Sequence, residues 1–201
     1  SLVPGIFSKW IGIGVNLVAF ILNFILLARL TFLVTGKNRV LTLLVSAVYG
    51  LDGIAISGVM FIRMYEWMTV FVLASACLHV RAMRSGDRGF IRFLLPLAAV
   101  SYLGFLTQYY YLIFLFFMAT GFVIWQLYVD RKLINCVRYA VCCQAAGILA
   151  VISYPACLSH IFRGYRGTEA MAEFLDQSNT WDRLRFFAGL MNEYVFEGYL
   201  P

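Results

Sequence analysis

The chain predicts an all-α, polytopic transmembrane helix bundle of about six spans, and three observations lead there. Of its 201 residues, 62% are hydrophobic and 13% charged, whereas an ordinary soluble domain carries roughly a quarter charged residues. The apolar residues form continuous runs and lack the alternation of an outer-membrane strand, which favours helices over a barrel. The basic residues gather at every second gap between runs, as they do in cytoplasmic loops.

A hydrocarbon core of about 30 Å needs roughly 20 apolar residues per helix. Runs of that kind lie at 11–34, 40–62, 65–82, 91–106, 109–129 and 139–158. The first carries Asn16 and Asn23, seven residues apart and so on one face, a placement that suits interhelical hydrogen bonds. The second holds Gly50-Leu51-Asp52-Gly53 and then Gly58, weak helix formers around a carboxylate, so a break is expected. Asp52 there either caps the segment beginning at Gly53 or forms the floor of an outward-facing cavity. The third begins at Tyr65-Glu66. The fifth, from Tyr110 to Phe117, is aromatic all round and suits lipid-facing packing, and Cys142-Cys143 in the sixth are small hydrophobes that fill space.

Lys37 and Arg39 follow the first run, Arg81, Arg84, Arg88 and Arg92 lie between the third and fourth, and Arg131, Lys132 and Arg138 between the fifth and sixth. These three connections are expected to be cytoplasmic. The Arg63 turn, the uncharged Thr107 turn and the tail from Ser159, whose four Arg are outnumbered by six acids, are expected to face outward. The net charge of +6 thus reflects membrane anchoring, and its division among short loops excludes a nucleic-acid partner. Five Cys with no CxxC spacing and two distant His give no metal site.

Two domains are therefore expected, a membrane core over 1–158 and an extracytoplasmic tail over 159–201. In the tail, Thr168 is a candidate N-cap for a short helix, and a second amphipathic helix follows Thr180. The start at Ser1 without Met, the absence of a signal-peptide pattern and the abrupt end at Pro201 read as a piece of a longer polytopic protein, with both ends on the outer face.

Two short polar turns at the outward face are the candidate binding elements. Arg63, in Phe61-Ile62-Arg63-Met64-Tyr65, has the planar fork that grips a phosphate bidentately, with Tyr65 and Glu66 close behind; an Arg snorkelling to headgroups is the alternative. The Thr107-Gln108-Tyr109-Tyr110-Tyr111 turn offers an amide and phenols to sugar hydroxyls, and an interfacial aromatic belt explains at least two of the Tyr equally well. Arg163 and Arg166, set among aromatic residues beyond the last run, are candidates for the far wall of an anion site.

These residues resemble a known family. The Phe61–Tyr65 motif, the Leu103-Gly104-Phe105-Leu106-Thr107-Gln108-Tyr109-Tyr110-Tyr111 run and the basic loop between them are similar to the membrane core of the GT-C superfamily of polyprenyl-phosphate-sugar-dependent glycosyltransferases, in its protein O-mannosyltransferase-like or Rgt-type bacterial branch. The resemblance extends from about Ser1 to about Ala170. It implies transfer of a sugar from a polyprenyl-phosphate donor to a glycan, lipid or protein acceptor outside a bacterial plasma membrane, with no certain cofactor. It places Arg63, Tyr65, Tyr109 and Tyr110 at the cavity. Gln108 stands where many relatives have His, and the family's acidic catalytic loop would lie before Ser1, so the catalytic base is unknown and the segment alone is expected to be inactive. A transporter or lipid flippase is the alternative, supported by the broken second run, and a non-catalytic membrane subunit is a third.

Overall fold

The computed structural model describes residues 9–60, 64–84, 87–157, 181, 182 and 185. Among these the chain is all-helical: α1 (Lys9–Val34), α2 (Arg39–Leu51), α3 (Gly53–Met60), α4 (Tyr65–Arg84), α5 (Asp87–Thr107), α6 (Tyr111–Trp125), a π-helical turn (Gln126–Asp130) and α7 (Leu133–Ser153). It divides into two units, Ser1–Tyr154 and Pro155–Pro201. In the second unit Ala156, Cys157, Trp181, Asp182 and Arg185 are helical, and the expected helix after Thr168 lies outside the described residues.

α1 is a predominantly apolar helix of 26 residues, about 39 Å at 1.5 Å per residue. It stops because Gly36 takes the left-handed conformation, φ 65°, which lets Lys37 N–H return to the Phe32 carbonyl at 2.9 Å. Asn38 then caps α2, its Oδ1 accepting from Leu41 N at 3.1 Å. α5 continues through Pro96, which removes the amide that would bond the carbonyl four residues back. In the same turn the Cys142 thiol of α7 donates to the Leu94 carbonyl at 3.1 Å. α6 widens into the π turn and ends at Arg131, φ 54°, with Lys132 N bonding the Gln126 carbonyl. α7 ends at Tyr154, held extended at φ −142° in front of Pro155, where a helical conformation is disfavoured.

The sixth apolar run, drawn at 139–158, is thus helical from Leu133, because Arg138 at a helix end interrupts hydropathy without interrupting helix, and it stops at the proline. Three helices are long and apolar enough to cross a membrane by length and composition: Lys9–Val34, Tyr111–Asp130 and Leu133–Ser153. Arg39–Leu51 and Arg92–Thr107 are shorter apolar helices.

The polarity of the first unit is inverted relative to a soluble protein. Asn16, Asn23, Ser75, His79, Gln126 and Asn135 are buried, whereas Phe116 and Phe117 are 66% and 68% exposed. Polar side chains that hydrogen-bond between helices, and apolar ones that face outward, are what a lipid solvent selects.

α4 is the hub, packed against α1, α5 and α6. Contacts rise together along α1 and α4 (Asn23 with Glu66, Leu26 with Cys77) and along α5 and α7 (Leu94 with Cys142, Tyr102 with Ser153), so each pair is parallel. One end of the bundle therefore collects Lys37, Arg39, Arg81, Arg84, Arg131, Lys132 and Arg138. The other collects Tyr65, Glu66 and the Gln108–Tyr110 turn.

Candidate functional site

At the end away from the basic residues, the first turn of α4 presents Glu66, a position the helix dipole favours for an acid. Asn23 of α1 holds it in place. The Asn23 Nδ2 donates to the Glu66 carbonyl at 3.1 Å and to its carboxylate Oε2 at 3.0 Å. Asn23 is fully enclosed, and among the described residues its Oδ1 has no hydrogen-bond partner. On the facing side Gly58 of α3 lies so close that any Cβ there would overlap the Glu66 Oε1. Tyr49 of α2 stacks on Phe20 at 5.3 Å, with its phenol beside the Asn23 amide and within electrostatic range of Glu66 and Asp52. Asn16, one heptad above Asn23, reaches the Val59 carbonyl at 3.5 Å, a long bond that ties α1 to α3.

Asp52 sits at the break between α2 and α3. Its amide bonds the Tyr49 carbonyl at 3.3 Å, and its Oδ2 accepts from Ala55 N at 3.2 Å, the geometry of a cap for the helix that starts at Gly53. The two weak helix formers on either side let the chain bend there, and the carboxylate satisfies an amide that the break leaves open.

The Gln108 turn is equally constrained. Gln108 N bonds the Gly104 carbonyl at 3.1 Å, and the Gln108, Tyr109 and Tyr110 carbonyls accept from Tyr111, Leu112 and Ile113, each at 3.0 Å. The Tyr109 and Tyr110 rings pack at 4.4 Å and remain exposed, as does Tyr65. Tyr111 turns inward. It is fully buried, its ring lies against Gly104, and its hydroxyl shares a short hydrogen bond with Ser75 Oγ of α4. Two of the turn's tyrosines are thus exposed at its surface, and the third fastens the turn to the hub.

One turn deeper, His79 joins α4 to α7. Its Nδ1 lies 2.7 Å from the Ser75 carbonyl and its Nε2 2.8 Å from the Tyr139 hydroxyl. A carbonyl only accepts, so Nδ1 carries the proton and Nε2 accepts from Tyr139. Phe122 packs against both rings, at 5.9 and 4.7 Å. At the basic end, Gln126 donates to Asp130 Oδ2 at 2.7 Å and accepts from Asn135 Nδ2 at 3.2 Å, closing the α6–α7 connection.

Of the residues expected at the site, Asp52, Tyr65, Gln108, Tyr109 and Tyr110 are described, and Arg63, Arg163 and Arg166 lie outside the described residues. Tyr65 and the Gln108–Tyr110 turn share one end of the bundle, on different helix pairs: Tyr65 opens α4, where Glu66 meets α1, and the turn joins α5 to α6. The interhelical hydrogen bonds expected of Asn16 and Asn23 form, to Val59 and Glu66, although the sequence did not name those partners. The Ser75–Tyr111 and His79–Tyr139 pairs were missed, because they join residues 36 and 60 positions apart and leave no local pattern. Among the described residues, no three of His, Cys, Asp and Glu gather closely enough to hold a metal ion.

The chain matches no protein-family model, no curated protein and no solved structure.

Proposed function

We propose that the chain is the membrane core of a GT-C-type glycosyltransferase, moving a sugar from a polyprenyl-phosphate-linked donor to a glycan, lipid or protein acceptor outside a bacterial plasma membrane. Its six crossings are α1, α2 with α3, α4, α5, α6 with the π turn, and α7. The observation that carries the reading is the sorting of side chains between the two ends of the bundle. Tyr65, Gln108, Tyr109 and Tyr110 collect at one end, with phenols exposed, and the basic loops collect at the other, the arrangement the positive-inside rule associates with the cytoplasm.

Transfer of this kind needs cationic groups that stabilise the departing lipid phosphate and a base that takes the acceptor's proton. Arg63, directly before α4, is assigned the phosphate, and Tyr109, Tyr110 and Gln108 the sugar, with Arg163 and Arg166 as a second wall. The base is left unassigned among these residues. The test is binding of a polyprenyl-phosphate sugar to the purified protein. Arg63→Ala should weaken it about 10- to 100-fold, the loss of a charge-assisted bidentate contact, with folding unchanged. Unaltered binding returns Arg63 to the headgroup-anchor role.

The break at Asp52 favours a second reading, a transporter or lipid flippase, since discontinuous helices are common there. Protein-dependent flipping of a labelled polyprenyl lipid without sugar transfer would select it.

A further inference from the structure

We propose that Glu66, Asn23 and Tyr49 bind a monovalent hard cation, of which sodium is the type, between α1, α2 and α4. The inference goes beyond the transferase reading and does not rest on it. The first ground is a surplus of acceptors. Asn23 donates from Nδ2 to Glu66, and its Oδ1, fully enclosed, accepts no hydrogen bond among the described residues. Buried acceptors are nearly always satisfied, and each exception calls for an explanation such as an ion.

The second ground is charge. Glu66 is half-buried at the start of a helix in an apolar bundle, and among the described residues the group that hydrogen-bonds its carboxylate is a neutral amide. An ionisable side chain at such depth takes a partner of opposite sign.

The donor set also fixes the class of ion. Carboxylate, amide carbonyl and phenol are all oxygen, which selects a hard cation and disfavours zinc or copper. One carboxylate with two neutral groups is balanced by a single positive charge. Asp52, the neighbouring carboxylate, is engaged with the Ala55 amide as a cap.

The experiment is thermal unfolding of the purified chain in lipid nanodiscs while NaCl replaces choline chloride at constant ionic strength. The melting temperature should rise saturably, by about 3 °C or more at saturation. Glu66→Gln should abolish the rise, Asn23→Ala should weaken the apparent sodium affinity at least about 10-fold, and Asp130→Asn, at the other end of the bundle, should leave it intact. Should the Glu66 or Asn23 variant fail to fold, binding of radioactive sodium to the unaltered protein, competed by excess NaCl and not by choline, gives the same answer. Equal melting in sodium and choline, an undiminished sodium response in Glu66→Gln, or absence of saturable sodium binding would each overturn the site. None of these readouts involves sugar transfer, so the site and the transferase reading fail independently.

Discussion

Gly104→Ala should destabilise the bundle, although alanine is the better helix former. Gly104 lies inside α5, and a Cβ built on it falls 2.7 Å from Cε2 of Tyr111 and 2.8 Å from two further ring atoms. The ring has nowhere to retreat, because Tyr111 is fully buried and its hydroxyl is tied to Ser75. Overpacking of this kind costs about 1–3 kcal/mol, and losing the Ser75 bond adds about 1 kcal/mol. Replacing glycine by alanine in a helix returns about 1 kcal/mol. The net expectation is a loss of about 1–3 kcal/mol. Gly147→Ala in α7 is the matched control, since nothing lies within 4 Å of its Cβ position, and it should be neutral or stabilising by up to about 1 kcal/mol. Reversible unfolding of both variants in mixed micelles measures the difference. Equal stability of Gly104→Ala and the parent would refute the contact and, with it, the anchoring of the Gln108 turn through Tyr111.

The His79–Tyr139 bond should appear as coupling in a double-mutant cycle: His79→Ala and Tyr139→Phe each destabilise, and their combination falls short of the sum by about 1 kcal/mol. Independent, additive losses would argue against the bond. The proposed topology is tested by labelling: in a variant lacking the native cysteines, a membrane-impermeant thiol reagent should label Lys37→Cys only from the cytoplasmic side and Tyr110→Cys only from outside. Labelling of both from one side would break the alternation of crossings.

The helical runs were legible because lipid imposes a length and a composition that a linear reading detects. The break at Asp52 was legible too, since Gly50 and Gly53 bracket a residue that caps well. Boundaries were harder wherever a charged residue continued the helix, as Arg138 does in α7, or where hydropathy ran past Pro155. The interior was least legible. Tyr109, Tyr110 and Tyr111 look alike in sequence, and only the fold separates the buried anchor from its two exposed neighbours. His79 reads as an isolated polar residue in an apolar run until α7 brings Tyr139 to it. Such pairings depend on which helices become neighbours, and that choice is made by packing over distances that local patterns do not encode.

The transferase reading is tested most directly by incubating membranes that carry the complete reading frame containing these 201 residues with radiolabelled polyprenyl-phosphate sugars, against membranes lacking it. The account predicts protein-dependent transfer of label to an acceptor, lost in Arg63→Ala. No protein-dependent transfer across a panel of donors and acceptors would contradict the glycosyltransferase reading and leave the flippase to be tested in its place.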